Sequence, residues 1–499
     1  MITIQPHYSE KIHHHIDKKE LLNELECFLP RALLLTEKEQ LKPFECDALS
    51  AYHCLPWIVV LPETVMQVQK VLQLCYRKGV PVVARGAGTG LAGGAIPLDN
   101  GVLISLAKFD QIQKIDVNNR LATVQSGVRN LAISQAVACY GLYYAPDPSS
   151  QIACTIGGNV AENSGGVHCL KYGLTTHNIA CLKLLTMQGE LVTIGSQALD
   201  SAGYDLLALL TGSEGMLGII IEVTVKLRVL PETAKVMLVA FDDIEKAGNA
   251  VAEIIARGLI PAGLEMMDKT TIQAAEAFVH AGYPMTAEAI LLCEFDGSCA
   301  QVEEDLILAG SVFDQQGATE VIVAQSEQQR QKMWAGRKAA FPAVGRISPD
   351  YYCMDGTIPK RYLAKVLKQI EQLSTQYGLL VANVFHAGDG NLHPLILYNA
   401  DNEGELEKAE LLGGDILKLS VEVGGSITGE HGVGVEKINY MCFQFNPDEL
   451  QQFHAVKFAF DEKSLLNPGK AVPTLNRCAE FGAMHVHQGG VKFPELARF

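Results

Sequence analysis

The stretch Arg85-Gly-Ala-Gly-Thr-Gly-Leu-Ala-Gly-Gly-Ala95 (RGAGTGLAGGA) carries five glycines within one short segment. A loop of this composition lets successive backbone N–H groups point inward and approach a pyrophosphate closely. It is not a P-loop, because no Gly-Lys-Ser/Thr follows, and Pro97 and Gly101 stand where the phosphate-binding helix of a Rossmann motif would start. Taken alone, the loop is as compatible with a flexible turn as with a nucleotide site.

The residues before this loop predict a βαβ unit. Trp57-Ile-Val-Val-Leu-Pro62 is typical of a short apolar strand, and Thr64 can cap a helix whose apolar residues recur at helical spacing. Lys78-Gly79 ends that helix, and Val80-Pro-Val-Val-Ala84 predicts the next strand. The glycine-rich loop therefore follows directly on a strand.

Composition and charge restrict the possible functions. The 499 residues are 48% hydrophobic and 19% charged, as in ordinary globular proteins. A net charge of -16 disfavours nucleic-acid binding and means that an anionic substrate needs local cations. The sequence contains no run of eighteen apolar residues, so it predicts no membrane-spanning helix, and the N-terminus has no apolar signal core. Thirteen cysteines without a CxxC pair disfavour zinc fingers, thioredoxin-type sites and iron–sulfur sites, and are typical of reduced thiols in a cytoplasmic protein.

Three later stretches change the interpretation of the glycine-rich loop. They are Pro146-Asp-Pro-Ser-Ser150, Thr155-Ile-Gly-Gly-Asn-Val-Ala-Glu-Asn-Ser-Gly-Gly166 and Gly212-Ser-Glu-Gly-Met-Leu-Gly218. With the loop, they resemble the FAD-binding domain of the vanillyl-alcohol-oxidase (PCMH-type) flavoproteins. In that family the first loop wraps the FAD pyrophosphate and the later stretches line the adenine and the isoalloxazine. The resemblance implies FAD, held non-covalently at residues 85–95, which contain neither histidine nor cysteine.

The resemblance also implies a fold and a set of cofactor contacts. The expected class is α+β, with a two-part PCMH-type FAD-binding domain, an α/β (ferredoxin-like) substrate domain and a helical C-terminal segment. The expected boundaries are 1–50 for a leader and helices, 51–231, 232–425, and 426–499 for a segment that packs on the FAD domain. The residues expected to contact FAD are Arg85, Gly86, Ala87, Gly88, Thr89, Gly90, Pro146, Asp147, Ser149, Ser150, Gly157, Gly158, Asn159, Asn163, Gly215 and Ile219.

The stretch His386-Ala-Gly-Asp-Gly-Asn-Leu-His393 places two histidines around a glycine-rich turn. If 381–385 and 395–398 pair as a hairpin, both rings can converge beside that turn. Two neutral imidazoles suit a zinc- or manganese-class ion but need a third ligand. Histidines hydrogen-bonded near a turn are the commoner outcome for such a pair alone.

A possible third ligand lies in Gly424-Gly-Ser-Ile-Thr-Gly-Glu-His-Gly-Val-Gly434. Glu430 would complete a His-His-Glu site, and His431 would be free to act as a base. An adjacent Glu-His pair is common by chance, so the spacing by itself carries little weight.

The two motifs together resemble the D-2-hydroxyacid dehydrogenase branch of these flavoproteins, which oxidises glycolate, D-lactate and D-2-hydroxyglutarate. In that branch the two histidines and the glutamate hold a divalent metal, and the next histidine is the base. The resemblance implies that Asn391 contacts substrate and that Arg337, in Trp334-Ala-Gly-Arg337, clamps its carboxylate, for which a guanidinium is well shaped. A helix-surface ion pair is the alternative for Arg337. Cys353 replaces the lysine of the hydroxyglutarate enzymes, which favours a small monocarboxylate.

The implied reaction is oxidation of glycolate to glyoxylate with reduction of FAD. D-lactate is the nearest alternative substrate, and a non-catalytic flavin-binding subunit is the alternative from another class. The resemblance further implies iron–sulfur and second flavin-type partner subunits, with a cytoplasmic location at the inner face of the membrane through those partners. The tail at 478–499 is a candidate docking segment, although it can equally cover the FAD domain.

Overall fold

The computed structural model describes residues 17–198 and 202–473. The first part of the predicted leader and the tail at 478–499 lie outside the described residues. Within the described part, no helix combines the length and the apolar character that crossing a membrane requires.

The first sheet contains the predicted βαβ unit. Its strand order is β1-β2-β4-β3, and β4 pairs in parallel with β2 and β3. Thr64 caps α3 by accepting from the N–H of Gln67, and Gly79 ends the helix in the left-handed conformation, as the sequence predicted. The elements are α1 Lys18–Glu26, β1 Leu34–Leu35, α2 Lys38–Leu41, β2 Ile58–Val60, α3 Val65–Lys78, β3 Val82–Arg85 and β4 Val102–Ser105.

The second sheet is antiparallel and has the order β5-β6-β10-β8-β9. One face packs against helices of the same region in a core that includes Ile156, Val160 and Val223. A separate two-stranded pair joins β7 and β11. The elements are β5 Ile112–Asp116, β6 Leu121–Gln125, α4 Asn130–Val137, β7 Leu142–Tyr143, α5 Ile156–Glu162, α6 Cys169–Tyr172, β8 Ile179–Leu185, β9 Leu191–Gly195, α7 Leu206–Leu210, β10 Ile219–Lys226 and β11 Arg228–Val229.

The third sheet is the largest and has the order β15-β12-β14-β13-β18-β19-β16, with β17 beside β19. Leu291 and Phe295 of β14 enter one core, whereas Ile290 and Leu292 enter another, so helices cover both faces. The strands are β12 Thr233–Phe241, β13 Gly263–Asp268, β14 Ala289–Gly297, β15 Glu320–Val323, β16 Asp350–Cys353, β17 Gly356–Thr357, β18 Val381–His386 and β19 Asn391–Tyr398. The helices are α8 Ile244–Ala256, α9 Lys269–Val279, α10 Cys299–Gln315, α11 Glu327–Lys338, α12 Ala340–Val344, α13 Leu363–Tyr377 and α14 Glu405–Glu422.

The last described segment returns to the first sheet. After α15 (Met441–Gln444) and α16 (Pro447–Phe460), Leu466 forms a parallel bridge with Val82, and the N–H of Asn467 donates to the Val82 carbonyl. The Nζ of Lys470, which is fully buried, donates to the carbonyl oxygens of Gly94 and Ile96. We call residues 465–471 the C-terminal clasp, because they bind the strand before the glycine-rich loop and the loop itself.

Candidate active site

A cavity of about 230 Å³ lies where the first two sheets meet the third. We call it the central cavity. One wall consists of the glycine-rich loop and parts of 148–164 and 214–220. The opposite wall is formed by Arg337, Phe341, His386, His393, Glu430 and His431. The structure therefore brings the predicted cofactor motifs and the predicted chemical groups to the same space.

The glycines on the first wall permit close packing that side chains would prevent. A Cβ on Gly86 would lie 2.2 Å from Thr155 Oγ1, and one on Gly157 would lie 2.9 Å from the Ser126 carbonyl oxygen. Arg85 links the start of the loop to the preceding segment, because its Nη1 donates to the Cys46 carbonyl at 2.6 Å. Glycine at these positions therefore lets the segments of the wall pack closely, and glycine-rich backbone of this kind can approach a pyrophosphate.

Two neutral side chains on this wall have buried polar atoms without a partner among the described residues. These atoms are Asn159 Nδ2 and Ser126 Oγ, and both residues line the central cavity. Buried polar atoms are almost always hydrogen-bonded in folded proteins, so unpaired atoms at a cavity wall indicate a bound molecule. This arrangement fits a dinucleotide cofactor.

Most of the predicted cofactor residues line the cavity, and four lie away from its wall. Ile219 is in the hydrophobic core, since alternation along β10 turns Gly218 and Ile220 to the cavity instead. Asn163 ends α5 in the left-handed conformation and accepts from the N–H of Thr176. Asp147 is engaged by His168, and the Pro146 carbonyl accepts from Asn130. The residues on the wall are Arg85, Gly86, Ala87, Gly88, Thr89, Gly90, Ser149, Ser150, Gly157, Gly158, Asn159 and Gly215.

The two motif histidines converge as the hairpin prediction required. In the β18–β19 register His386 is opposite Asn391 and His393 is opposite Val384, and the two rings lie 5.1 Å apart. Glu430 Oε1 lies 3.3 Å from His386 Nε2 and 3.0 Å from His393 Nε2. His386, His393 and Glu430 each have one potential metal-ligand atom, and these three atoms all lie within 4.8 Å of one another. Two imidazoles and a carboxylate in this arrangement fit a zinc- or manganese-class ion.

Without a metal, the same side chains form a buried ion-pair network. Burial opposes the charge of His386, but Glu265 and Glu430 raise its pKa well above the ordinary value. Burial likewise opposes the charge of Glu430, yet hydrogen bonds from His386 and His393 hold its pKa well below the ordinary value. A second group of possible ligands, Cys353, His393 and His431, is less suited to a metal. Burial raises the pKa of the Cys353 thiol, and the thiolate is the form that binds metals.

His431 lies against His393 with the two rings stacked at a centroid distance of 4.9 Å. Its Nδ1 is buried and has no hydrogen-bond partner in the part of the chain that the structure describes. Burial lowers the pKa of His431 to about 4, so the imidazole is neutral near pH 7. A neutral imidazole with an unengaged nitrogen is able to accept a proton.

A single buried carboxylate, Asp355, holds the backbone that carries Glu430 and His431. It accepts from the N–H groups of Gly429, Glu430 and His431 at 3.1, 3.2 and 2.9 Å. It also accepts from the Thr428 hydroxyl at 2.7 Å. These bonds fix where the two side chains enter the cavity.

Arg337 is buried, lines the central cavity and is oriented by another carboxylate that the sequence motifs did not indicate. Its Nε donates to Glu265 Oε2 at 2.7 Å, while Glu265 Oε1 lies 2.8 Å from His386 Nδ1. Glu265 thus holds both the predicted substrate clamp and a predicted metal ligand. An isolated glutamate within the apolar strand Gly263–Asp268 is the signal that would have identified it.

Asn391 lies beside the cavity rather than on its wall. Its Oδ1 is buried, has no hydrogen-bond partner within 17–198 and 202–473, and would be 2.4 Å from a Cβ on Gly429. It therefore packs under the loop that carries Glu430.

Glu162 and Glu214 are a pair of acidic side chains on the cavity wall, in addition to Glu430. Both adjoin Gly432, because a Cβ there would lie 2.3 Å from Glu162 Oε2 and 3.0 Å from Glu214 Oε1. Glu214 accepts from the N–H groups of Val433 and Gly434, each at 2.7 Å, whereas Glu162 Oε2 has no partner among the described residues. Burial and the neighbouring Glu214 raise the pKa of Glu162 well above its ordinary value.

Comparison with known proteins agrees with this geometry. Residues 56–195 match the FAD binding domain family, and residues 230–471 match the C-terminal domain of FAD linked oxidases. The glycolate oxidase subunit GlcD of Escherichia coli K12 is 62% identical over 97% of both chains. GlcD of Bacillus subtilis is 38% identical over 86% of this chain and 91% of its own. A D-lactate dehydrogenase of Anaerostipes hadrus is 33% identical over 90% of this chain and 97% of its own.

Solved structures show the same fold at low identity. p-Cresol methylhydroxylase superposes with a TM-score of 0.78 at 17% identity, covering 92% of this chain and 97% of its own. The predicted α+β class and the expected FAD-binding domain are confirmed. On the strength of its GlcD relatives and of the two matched domains, this chain belongs to the GlcD family of FAD-linked oxidases and is an FAD-dependent oxidoreductase.

Proposed function

We propose that the enzyme oxidises glycolate to glyoxylate and that D-lactate is a poorer substrate. The observation that carries the proposal is the position of Arg337, His431 and the His-His-Glu group on one wall of the central cavity, opposite the cofactor loops. GlcD relatives of this chain are named glycolate oxidase subunits, which supports the same substrate.

In this mechanism the substrate carboxylate binds the Arg337 guanidinium, which Glu265 holds at the cavity wall. The neutral His431 accepts the hydroxyl proton, and bound FAD supplies the two-electron acceptor for the α-hydrogen. A divalent ion held by His386, His393 and Glu430 would supply a Lewis acid that lowers the pKa of the substrate hydroxyl. The protein itself positions these side chains and sets their protonation states.

The first test is the anaerobic absorbance spectrum of the purified protein, with glycolate and L-lactate added separately. Glycolate should bleach the flavin band and L-lactate should not. Persistence of the band with glycolate, after addition of zinc or manganese, would contradict the proposal. The ratio of kcat/KM for glycolate and D-lactate ranks the two substrates, for which one methyl group is worth about 1–3 kcal/mol.

His431→Gln should retain FAD but reduce it about 10²–10⁴-fold more slowly, the usual contribution of a general base. Stopped-flow flavin reduction by glycolate measures the effect. His280→Gln is the matched control, because His280 is exposed at the end of α9. Wild-type rates in His431→Gln would exclude the role.

We also propose that partner subunits of iron–sulfur and flavin type receive the electrons. The word "subunit" in the name of the GlcD relatives supports an assembly. The thirteen cysteines lack the spacing of an iron–sulfur site in this chain, so a cluster would have to come from a partner. A cytoplasmic position at the membrane through those partners is part of this proposal. Co-purification of the native complex, followed by iron analysis, tests it.

A further inference from the structure

His168 lies between two carboxylates, one from the cofactor-binding region and one from the third sheet. Its Nδ1 is 2.8 Å from Asp147 Oδ2, and its own backbone N–H donates to Asp147 Oδ1 at 3.2 Å. Its Nε2 is 3.3 Å from Glu294 Oε1. Asp147 belongs to the turn that begins one wall of the central cavity, whereas Glu294 is in the middle of β14.

Glu294 also accepts hydrogen bonds from α11, the helix that carries Arg337. Its Oε2 accepts from Arg330 Nη1 at 2.8 Å and from Trp334 Nε1 at 2.7 Å. Arg330 and Trp334 are four residues apart on α11, so they lie on one face of the helix. Arg337 follows one turn later on the same helix and lines the central cavity.

The segment around His168 and α11 both pack against Gly263 of β13. A Cβ on Gly263 would lie 2.8 Å from Val167 Cγ1 and 3.5 Å from Trp334 Cη2, so all three residues meet at one point. Beyond His168, Lys171 and Tyr172 bond Asp296 of the same strand. Residues 167–172 and α11 thus both contact β13 or β14 of the third sheet.

We propose that His168 is a positioning residue that, as an imidazolium, holds α11 through Glu294 so that Arg337 is presented to the substrate carboxylate. This inference rests on the proposed function, in which Arg337 binds that carboxylate. According to this inference, His168 affects substrate affinity although it lies outside the central cavity.

The protonation state of His168 follows from its partners. An imidazolium has two N–H donors, one for each carboxylate, whereas a neutral ring can donate to only one of them. Burial opposes the charge, but Asp147 and Glu294 raise the pKa of His168 well above its ordinary value. The neighbouring charged groups are paired with residues of β14: Arg330 of α11 with Glu294, and Lys171 with Asp296. Because the folded-state pKa is raised, the bridge is intact near pH 6.5 and below, and it is lost as the pH rises through that raised pKa.

The test compares His168→Gln and Glu294→Gln with the control His280→Gln in the flavin-loaded protein. Glutamine at 168 is uncharged and has its N–H donors on a single nitrogen, so it cannot replace an imidazolium whose two nitrogens each face a carboxylate. The ligand is oxalate, a two-carbon acid with no hydrogen to transfer, and its Kd is read from the change in the flavin spectrum. The same proteins are assayed for flavin content, and for KM and kcat with glycolate.

His168→Gln and Glu294→Gln should each raise the oxalate Kd and the glycolate KM about tenfold, while flavin content and kcat stay close to wild type. The wild-type Kd should rise at alkaline pH toward that of His168→Gln, whose Kd should change less with pH. His280→Gln should match the wild type throughout.

Two results would overturn the inference: an oxalate Kd that His168→Gln leaves unchanged, or a loss of flavin that accompanies the loss of affinity. The second result would mean that His168 supports the cofactor turn rather than Arg337. If glycolate fails to reduce the wild-type flavin but oxalate binding still depends on His168, the proposed substrate is wrong and the positioning role stands.

Discussion

Individual buried carboxylates decide how the central cavity is organised. Glu265 orients Arg337 and His386, and Asp355 holds the loop of Glu430 and His431. In both cases hydrogen-bond donors and cations compensate the burial, which would otherwise raise the pKa. Glu162 differs from these two, because it has a carboxylate neighbour and, among the described residues, no donor for Oε2.

Glu162→Gln should therefore stabilise the enzyme at neutral and higher pH. Since the folded-state pKa of Glu162 is raised above 4.5, its contribution to stability is present below pH 4.5 and is lost as the pH rises through that raised pKa. The neutral glutamine avoids this loss, and we expect a gain of about 1 kcal/mol at pH 8 and a smaller gain at pH 5. Urea unfolding of the flavin-loaded protein at both pH values measures it.

The exposed Glu39→Gln serves as the control, and its effect should be small at both pH values. An equal change in stability at pH 5 and pH 8 for Glu162→Gln would show that its carboxyl group does not titrate differently in the folded state.

At the scale of helices and strands, local signals predicted local structure. The Thr64 cap, the Gly79 stop and the turn between β18 and β19 each depend on residues within one short segment, and the structure has all three. The roles of Glu265 and Glu294 depend on partners far along the chain, for Glu265 at separations of 72 and 121 residues. A local pattern can mark Glu265 as a charged residue within an apolar strand, but it does not encode the distant partners, so the motifs identified the cavity groups and not the carboxylates that orient them.

The start of α5 provides a test of why glycine is required there. A methyl group at Gly157 would be 2.6 Å from Ser126 Cβ, so Gly157→Ala should lower the free energy of unfolding by about 1–3 kcal/mol. It should also lower flavin content, because α5 and Ser126 both form the cofactor wall. Denaturant unfolding and the ratio of flavin to protein absorbance measure the two effects.

Gly310→Ala is the matched control in the interior of α10. There the new methyl would meet only Met237 Cε, at 3.8 Å, which is ordinary contact. Alanine should raise stability by roughly 0.5–1 kcal/mol, because glycine is the poorer helix former. A Gly157→Ala variant that behaves like Gly310→Ala would contradict the close packing described for α5.

At the scale of the whole molecule, a protein with a negative net charge must bind a negatively charged substrate. The net charge of -16 repels glycolate at a distance, and Arg337 attracts it only within the cavity. Raising the ionic strength from about 20 to about 200 mM shortens the Debye length to below about 10 Å and should lower the glycolate KM by roughly twofold.

Steady-state kinetics at several salt concentrations measure this effect. Salts with a small and a large anion should be compared, since a small anion can compete for Arg337. A KM that rises equally with both salts would show that attraction inside the cavity outweighs the long-range repulsion.

The C-terminal clasp has a consequence for the order in which the protein is made. Lys470 binds the carbonyl groups of Gly94 and Ile96, and Asn467 binds Val82, so the cofactor loop takes its bonding partners from residues translated some 370 positions later. A ribosome adds residues in sequence, and the cofactor loop leaves the exit tunnel long before these partners exist. Stable flavin capture is therefore a late event in biosynthesis, and nascent chains stalled before residue 465 should carry little flavin.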